Sequence, residues 1–322
     1  GVARCSSGER EHVLATVVTR AIRRIRPRPL GPAGKRRLEF YLFISPWLVG
    51  LVLFWGVPII ASFVISFFDW KLLSPGEFAG VENYTKLGTD RRFKAALWQT
   101  IYYTLGSVPL NVLVALAAAI LVNQKVRGVT LFRTLFYLPS VTAGVAISIL
   151  WYWMFNPDFG LFNWFLGLIG VPGIGWIWDR NWAMPSIILM SAWSIGANMV
   201  IFLAGLQGIP EHLYDAVDVD GATRYQRFRH VTLPMLSPVI FFVSVITVVQ
   251  SFQIFTNIYV MTRGERGTMV LALYLFFKGF EDLKMGYASA IAVILFVITG
   301  VIALLQFRLS GAWVYYEEEG GQ

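Results

Sequence analysis

Charge is scarce in this chain, and acidic charge is missing where it would be most expensive. Only 14% of the 322 residues are Asp, Glu, Lys or Arg, and no Asp or Glu lies in the uncharged runs 40–68, 95–124, 134–157, 181–210, 231–262 and 285–307. A carrier driven by protons or sodium ordinarily needs an ionisable group at membrane depth, despite an insertion cost of roughly 3 kcal/mol. Its absence counts against a secondary, ion-coupled transporter, which is the alternative reading, and places the energy source outside the chain. The single cysteine, Cys5, excludes an internal disulfide, and the three histidines, His12, His212 and His230, have no metal-ligand spacing. Residues 31–36 lack the glycine spacing of a phosphate loop and carry Arg36 where a Ser or Thr is required, so the chain does not hold ATP in that way. A membrane enzyme would need clustered His, Cys or carboxylates at one face. The acidic group near 211–220 has no accompanying base at a suitable spacing, so no catalytic residue is assigned.

What the chain has in abundance is apolar surface: 56% of its residues are hydrophobic and its mean hydropathy is +0.60. About 20 apolar residues cross a hydrocarbon core of about 30 Å. Six spans are therefore expected near 40–68, 96–124, 133–156, 183–208, 235–262 and 285–308. A seventh run, 159–178, holds five glycines, a proline and three tryptophans, a composition suited to an interfacial loop rather than a helix interior. With six spans, the amino-terminal tail, the connection near 124–133, the polar segment 211–230 and the carboxyl end share one side, which also carries the larger share of Lys and Arg. The positive-inside tendency makes that side cytoplasmic, with both termini on it.

The net charge of +8 is concentrated before the first span, between Arg4 and Arg37, and fits topology and lipid contact better than nucleic-acid binding. In that tail Leu14, Val17, Val18, Ile22 and Ile25 recur at helical spacing among arginines, the pattern of a basic interfacial helix. No cleavable signal peptide is expected, because the first apolar block is too long for one. The organisation expected is a basic tail at 1–37, one transmembrane domain at 38–310 and a short tail at 311–322. Pro46, Pro58, Pro109 and Pro139 fall inside spans and bend them. Ala117–Ala119 and Gly196-Ala197 offer small faces for close helix approach.

Between two uncharged runs lies a charge-dense island, residues 214–234, reading YDAVDVDGATRYQRFRHVTLP. It resembles the EAA loop of membrane subunits of ATP-binding-cassette importers. Asp215 and Ala216 stand where that motif opens, Asp220, Gly221 and Ala222 form its middle, and Phe228 with Leu233 and Pro234 close it. Asp215 replaces the usual Glu, and Val217 the second Ala. Three further stretches, Phe78–Tyr84 with Asp90, Phe93 and Thr100, then 132–139 with Trp151, then 286–290, resemble sugar-importer permeases of the maltose type, among their shorter members. One departure follows the fifth span, where such permeases often read Thr-x-Gly-Gly-Pro and this chain has Thr262-Arg263-Gly264-Glu265-Arg266.

The resemblance implies an all-α polytopic fold with six kinked transmembrane helices and a cytoplasmic coupling helix between spans four and five. It implies a bacterial inner-membrane permease that moves a carbohydrate, such as an oligosaccharide, or a related polyol by alternating access. Its expected partners are a second homologous permease, two ATPase subunits that carry ATP and Mg, an extracytoplasmic solute-binding protein and membrane lipid. The chain itself would bind no cofactor or metal.

The coupling helix is expected over about 211–220, where Glu211, Asp215, Asp218 and Asp220 alternate with apolar residues in a rod suited to a partner's groove. Glu211 complements the helix amino terminus, Gly221 permits a turn with positive φ, and Pro234 fits the start of the fifth span. Glu211, Tyr214, Asp215, Ala216, Asp218, Asp220, Gly221, Ala222, Phe228 and Pro234 are thus the ATPase-coupling candidates. For the solute path, Ser191, Ser194 and Asn198 share an arc of span four, while Thr247, Gln250, Gln253 and Asn257 share a face of span five. Amide and hydroxyl groups can replace the water around a sugar, and Trp193, Tyr259 and Tyr287 offer flat apolar faces. The bland counterpart is that such polar residues merely join helices, at about 1 kcal/mol or less per bond.

Overall fold

A computed structural model describes residues 32–71, 74, 76–124, 127–311 and 314. The basic tail, its expected interfacial helix and nearly all of the carboxyl tail lie outside the described residues. Helices dominate the described residues, and the only ladder among them is one short antiparallel pair, β1 (Phe68–Asp69) with β2 (Glu77–Phe78). Three helices are long and apolar enough to cross a membrane: α1 (Lys35–Ile65), α3 (Arg91–Val122) and α14 (Met285–Ser310). Three helix pairs pass the same test only together, because each is sharply bent. They are α4 (Val129–Val141) with α5 (Gly144–Met154), α7 (Ala183–Ser194) with α8 (Gly196–Gln207), and α10 (Arg224–Met235) with α11 (Ser237–Phe252). Counting each pair once gives six spans. Shorter helices are α2 (Glu82–Thr89), α6 (Leu161–Leu168), α9 (Glu211–Val219), α12 (Thr256–Met261) and α13 (Leu271–Phe276).

Proline places two of the distortions. In α1 a π turn at Val52–Gly56 closes with the Val57 N–H bonded to the Val52 carbonyl, and Pro58 follows at once. In α10 the same device recurs: a π turn at Phe228–Thr232, a Leu233 N–H to Phe228 carbonyl bond, then Pro234. A proline ring cannot donate and crowds the preceding turn, and a widened turn ahead of it relieves both.

Span three is not one kinked helix as expected but two, at 101° to each other. Pro139 sits in the last turn of α4, Thr142 is extended, and the hydroxyls of Ser140 and Thr142 donate to the Tyr137 and Leu138 carbonyls. Span four bends by 50° at Ile195. There a Cβ on Gly196 would lie 2.6 Å from the Phe136 carbonyl oxygen and 2.7 Å from the Tyr137 Cα. Only glycine lets the start of α8 approach α4 this closely.

Span five departs furthest from expectation. Its helix begins at Arg224 rather than near 235, bends by 64° at Leu236, and its long arm stops at Phe252 instead of running to 262. Pro234 belongs to the lead-in, directly after the π turn, and Pro238 occupies the first turn of the long arm. Past Phe252 the chain breaks before α12. Irregular backbone within a span is tolerated where it lines a cavity, and Ile254 lines one.

The run 159–178 contains no helix longer than α6, too short to cross. Its rings pack on span three, with Trp151, Phe155, Phe162 and Trp176 in mutual contact. Asn163 ties the loop together: its Nδ2 donates to the Pro157 and Ile174 carbonyls, and its Oδ1 accepts from the Ile174 N–H and the Trp176 indole. The main core joins α3, α8 and the start of α11 through Ala115, Ala119, Met199, Phe202 and Leu236, with Leu213, Tyr214 and Val217 of α9 packed against it.

Candidate functional site

Spans two, four and five converge on a cavity of about 230 Å³. Tyr103, Ser107 and Asn111 of α3 line it, as do Met190, Ser191, Ser194 and Asn198 of the fourth span. Thr247, Gln250, Ser251, Ile254 and Asn257 complete it from the fifth span and the break that follows. None of these side chains is charged at neutral pH. Hydrogen bonds between helices set the wall. Asn111 Nδ2 donates to the Ser107 carbonyl at 2.7 Å and to Ser191 Oγ at 2.8 Å. Asn198 Nδ2 donates to Thr247 Oγ1 at 3.2 Å, and Ser251 Oγ to Thr104 Oγ1 at 2.9 Å. Ser148 of α5 donates to Asn257 Oδ1 at 3.1 Å, tying span three to the same wall. Bonds of this kind between membrane helices contribute about 0.6 kcal/mol each. Ser194 and Gln250 are exposed, and the Gln250 amide has no hydrogen-bond partner among the described residues.

Of the residues expected along a solute path, Ser194, Asn198, Thr247, Gln250 and Asn257 meet in this cavity, together with Ser191. The other four lie elsewhere. Gln253 borders a separate, largely apolar pocket of about 350 Å³ with Val249, Leu275, Leu295 and Phe296. Trp193 meets Trp151 edge to face at 5.9 Å. Tyr259 stacks on Phe255 at 5.4 Å with the Arg263 guanidinium over its ring. Tyr287 donates to Asp90 Oδ2 at 2.6 Å, beside Tyr274, which donates to the same oxygen at 2.5 Å. Sequence reasoning missed Tyr103, Ser107 and Asn111. Their spacing of four marks one face of α3, so the periodicity used for spans four and five would have found them.

Asp90 caps the amino terminus of α3 by accepting from the Arg92 N–H. Burial pushes its carboxyl up, but the two tyrosine hydroxyls and the backbone N–H groups of Arg92 and Phe93 outweigh that and hold it below the ordinary value. Tyr274 is pushed up, first by burial and then by the carboxylate it bonds.

The polar island folds as a hairpin. Glu211 opens α9, Asp220 ends it, and Gly221 turns the chain at φ +74°. The Ala222 N–H returns to the Val217 carbonyl. Thr223 then starts α10 in a reciprocal box with Gln226, each side chain bonding the other's backbone. The Arg227 guanidinium reaches both oxygens of Asp218, at 3.0 and 2.8 Å, and lies 5.6 Å over the Tyr214 ring. The Tyr214 hydroxyl bonds Thr232 Oγ1 at 3.2 Å. A cleft of about 830 Å³ runs beside the hairpin, lined by Glu211, Tyr214, Asp215, Asp218, Arg224, Arg227 and Phe228 and by the end of α3. Ala216, Asp220 and Gly221 are exposed, Val219 is 88% exposed and Tyr225 68%. Ala222, Phe228 and Pro234 are half-buried. The expected helix is thus present, and Asp218 is engaged within the chain.

Residues 111–312 match the family described as binding-protein-dependent transport system inner membrane component. The chain is 40% identical over 292 residues to YesP of Bacillus subtilis (strain 168), named a probable ABC transporter permease protein, covering 88% of this chain and 94% of that one. It is 34% identical over 281 residues to AraP of the same organism, an arabinooligosaccharides transport system permease protein, covering 85% and 88%. It is 35% identical over 276 residues to LacF of Rhizobium radiobacter, a lactose transport system permease protein, covering 83% and 92%. A chain of the crystal structure of a bacterial alginate ABC transporter in complex with an alginate pentasaccharide-bound periplasmic protein has the same fold, with a TM-score of 0.75 at 23% identity over 86% of this chain and 95% of that one. The chain belongs to the family of inner membrane components of binding-protein-dependent transport systems. It is a membrane permease subunit, and the ion-coupled alternative is not favoured.

Proposed function

We propose that this permease passes an uncharged, hydroxyl-rich solute, a carbohydrate or related polyol, through the cavity between spans two, four and five. The observation that carries the reading is the composition of that cavity: hydroxyls and carboxamides on three spans, with no charged side chain among the residues that line it. A sugar hydroxyl leaving water needs replacement partners that both donate and accept, and Ser, Thr, Asn, Gln and Tyr supply them. A carboxylate or phosphate would meet no compensating cation there. The names of AraP and LacF agree in kind.

ATP would be hydrolysed by separate subunits, two in number, that grip the hairpin 211–235 on the cytoplasmic side, where both termini also lie. A second permease would complete the path and an extracytoplasmic binding protein would deliver solute. The exposed residues of the hairpin, Glu211, Asp215, Ala216, Val219, Asp220 and Tyr225, are the surface offered to the ATPase. Asp218, Ala222, Phe228 and Pro234 shape it from within. Closure of the ATPase pair displaces α9 and α10, and the bend at Leu236 passes that motion to α11, which carries Thr247 and Gln250. The test is uptake into proteoliposomes containing the full complex with its binding protein. Neutral oligosaccharides should compete with the transported solute and their uronic-acid counterparts should not. Equal competition by the acids would refute the neutral-solute assignment.

A further inference from the structure

The hairpin contains one ion pair that its role as a docking surface does not require. Asp218 lies on α9 between residues that face outward, yet both of its oxygens are taken by Arg227 of α10. The same guanidinium covers the Tyr214 ring, and Tyr214 in turn reaches Thr232 in the π turn that leads to the fifth span. Among the described residues these three contacts are the side-chain polar links between α9 and α10. Everything else that holds α9 is either turn backbone around Gly221 or the apolar packing of Leu213, Tyr214 and Val217. Apolar packing is non-directional and permits sliding. A glycine turn permits pivoting. A rod held only by those would absorb a push instead of transmitting it.

We infer that Arg227 is a positioning residue that locks α9 to α10, so that displacement of the docking helix is delivered to the fifth span. Asp218 is its counterpart within the chain and does not contact the ATPase. The link continues through Phe228–Thr232 and the bend at Leu236 to Thr247 and Gln250, so Arg227 joins the docking surface to the cavity wall by way of one continuous backbone. The pair is half-exposed, with side-chain exposures of 36% for Arg227 and 52% for Asp218. Exposed pairs of this kind add little to global stability. The consequence of breaking it therefore falls on coupling and not on folding. This inference rests on the reading that the hairpin engages an ATPase.

The experiment uses the whole complex in proteoliposomes, with its binding protein and a transported sugar, and reads solute moved per ATP hydrolysed. Arg227→Gln and Asp218→Asn should each lower that ratio about ten-fold, within the usual span of coupling between sites, while the ATPase subunits still co-purify and the thermal midpoint stays at the wild-type value. Arg227→Lys keeps charge without the flat guanidinium over Tyr214 and should fall between. Exchanging the partners, Asp218→Arg with Arg227→Asp, should recover part of the ratio lost in either single variant. Wild-type ratios in both single variants would overturn the inference, as would an exchange no better than the singles. Loss of ATPase co-purification in Asp218→Asn would also overturn it, by making Asp218 a contact residue. Gly221→Asp separates the two readings: if it too leaves coupling intact, the assignment of the hairpin to the ATPase has failed, and not merely the role of Arg227.

Discussion

The hairpin 211–235 and the central cavity are built on opposite principles. The hairpin is dense in charge, largely exposed, and shaped by turn chemistry within about twenty-five consecutive residues: a positive-φ glycine, a capping box, a π turn ahead of a proline and an ion pair. The cavity has no charge, is mostly buried, and is assembled from residues as far apart as Tyr103 and Asn257 by hydrogen bonds between helices. A local surface can be gripped by a partner without disturbing the membrane domain. A wall shared by three spans changes shape whenever one of them tilts. In the proposed mechanism, force enters where the structure is local and acts where it is distributed, and the bent fifth span belongs to both.

The comparison can be broken most severely at the helix crossing that supports the cavity. Gly196→Leu would drive a side chain into the Phe136–Tyr137 backbone, and overpacking of this kind costs about 1–3 kcal/mol or more. Reduced yield of folded permease and a lowered thermal midpoint in detergent are expected, and a wild-type midpoint would count against the close crossing. Gly221→Asp comes next: a side chain at φ +74° costs roughly 1–2 kcal/mol and adds a charge beside Asp220. Solute-stimulated ATP hydrolysis should be lost while membrane insertion persists, as judged by membrane fractionation.

A smaller effect should follow from the cavity wall. Gln250→Leu removes an amide without a hydrogen-bond partner and should raise the solute concentration for half-maximal uptake several-fold, whereas Gln253→Leu, in the apolar pocket, should leave it unchanged. Unchanged kinetics for Gln250→Leu would remove it from the path. The smallest effect concerns acid. Because the Asp90 carboxyl is held below its ordinary value of 3.8, the charged form favours the fold, and that contribution is present above about pH 4 and lost as the pH falls through the depressed value. Tyr274→Phe should weaken this dependence, measured as thermal midpoint against pH. An identical profile in the variant would exclude the contact.

How much of this was legible in sequence follows the same division. The hairpin was readable because its signals are local: α9, its acidic start and the Gly221 turn lie where the residues themselves place them. The cavity was half readable. Periodicity put Asn198 and Thr247 on faces of their helices, but not against each other, and it could not show that Gln253, one turn from Gln250, borders a different pocket just past the end of a helix that stops at Phe252. The aromatic candidates lie outside the cavity for a related reason, since Trp193, Tyr259 and Tyr287 find partners in Trp151, Phe255 and Asp90 that come from other elements. Composition alone marked the three long helices and the three bent pairs as candidate spans. It did not reveal that three would be broken, because the extended residue at Thr142 and the approach permitted by Gly196 are consequences of packing.

The most direct test of the account places one cysteine at Val219 in a chain whose Cys5 is changed to serine, leaving no other. In membranes holding the complete transporter, that cysteine should cross-link to the ATPase subunit, with a yield that changes when ATP is bound. In intact cells it should stay hidden from an impermeant thiol reagent. Labelling from the outside, or no ATPase adduct under any nucleotide condition, would contradict the claim that work enters this permease through the hairpin.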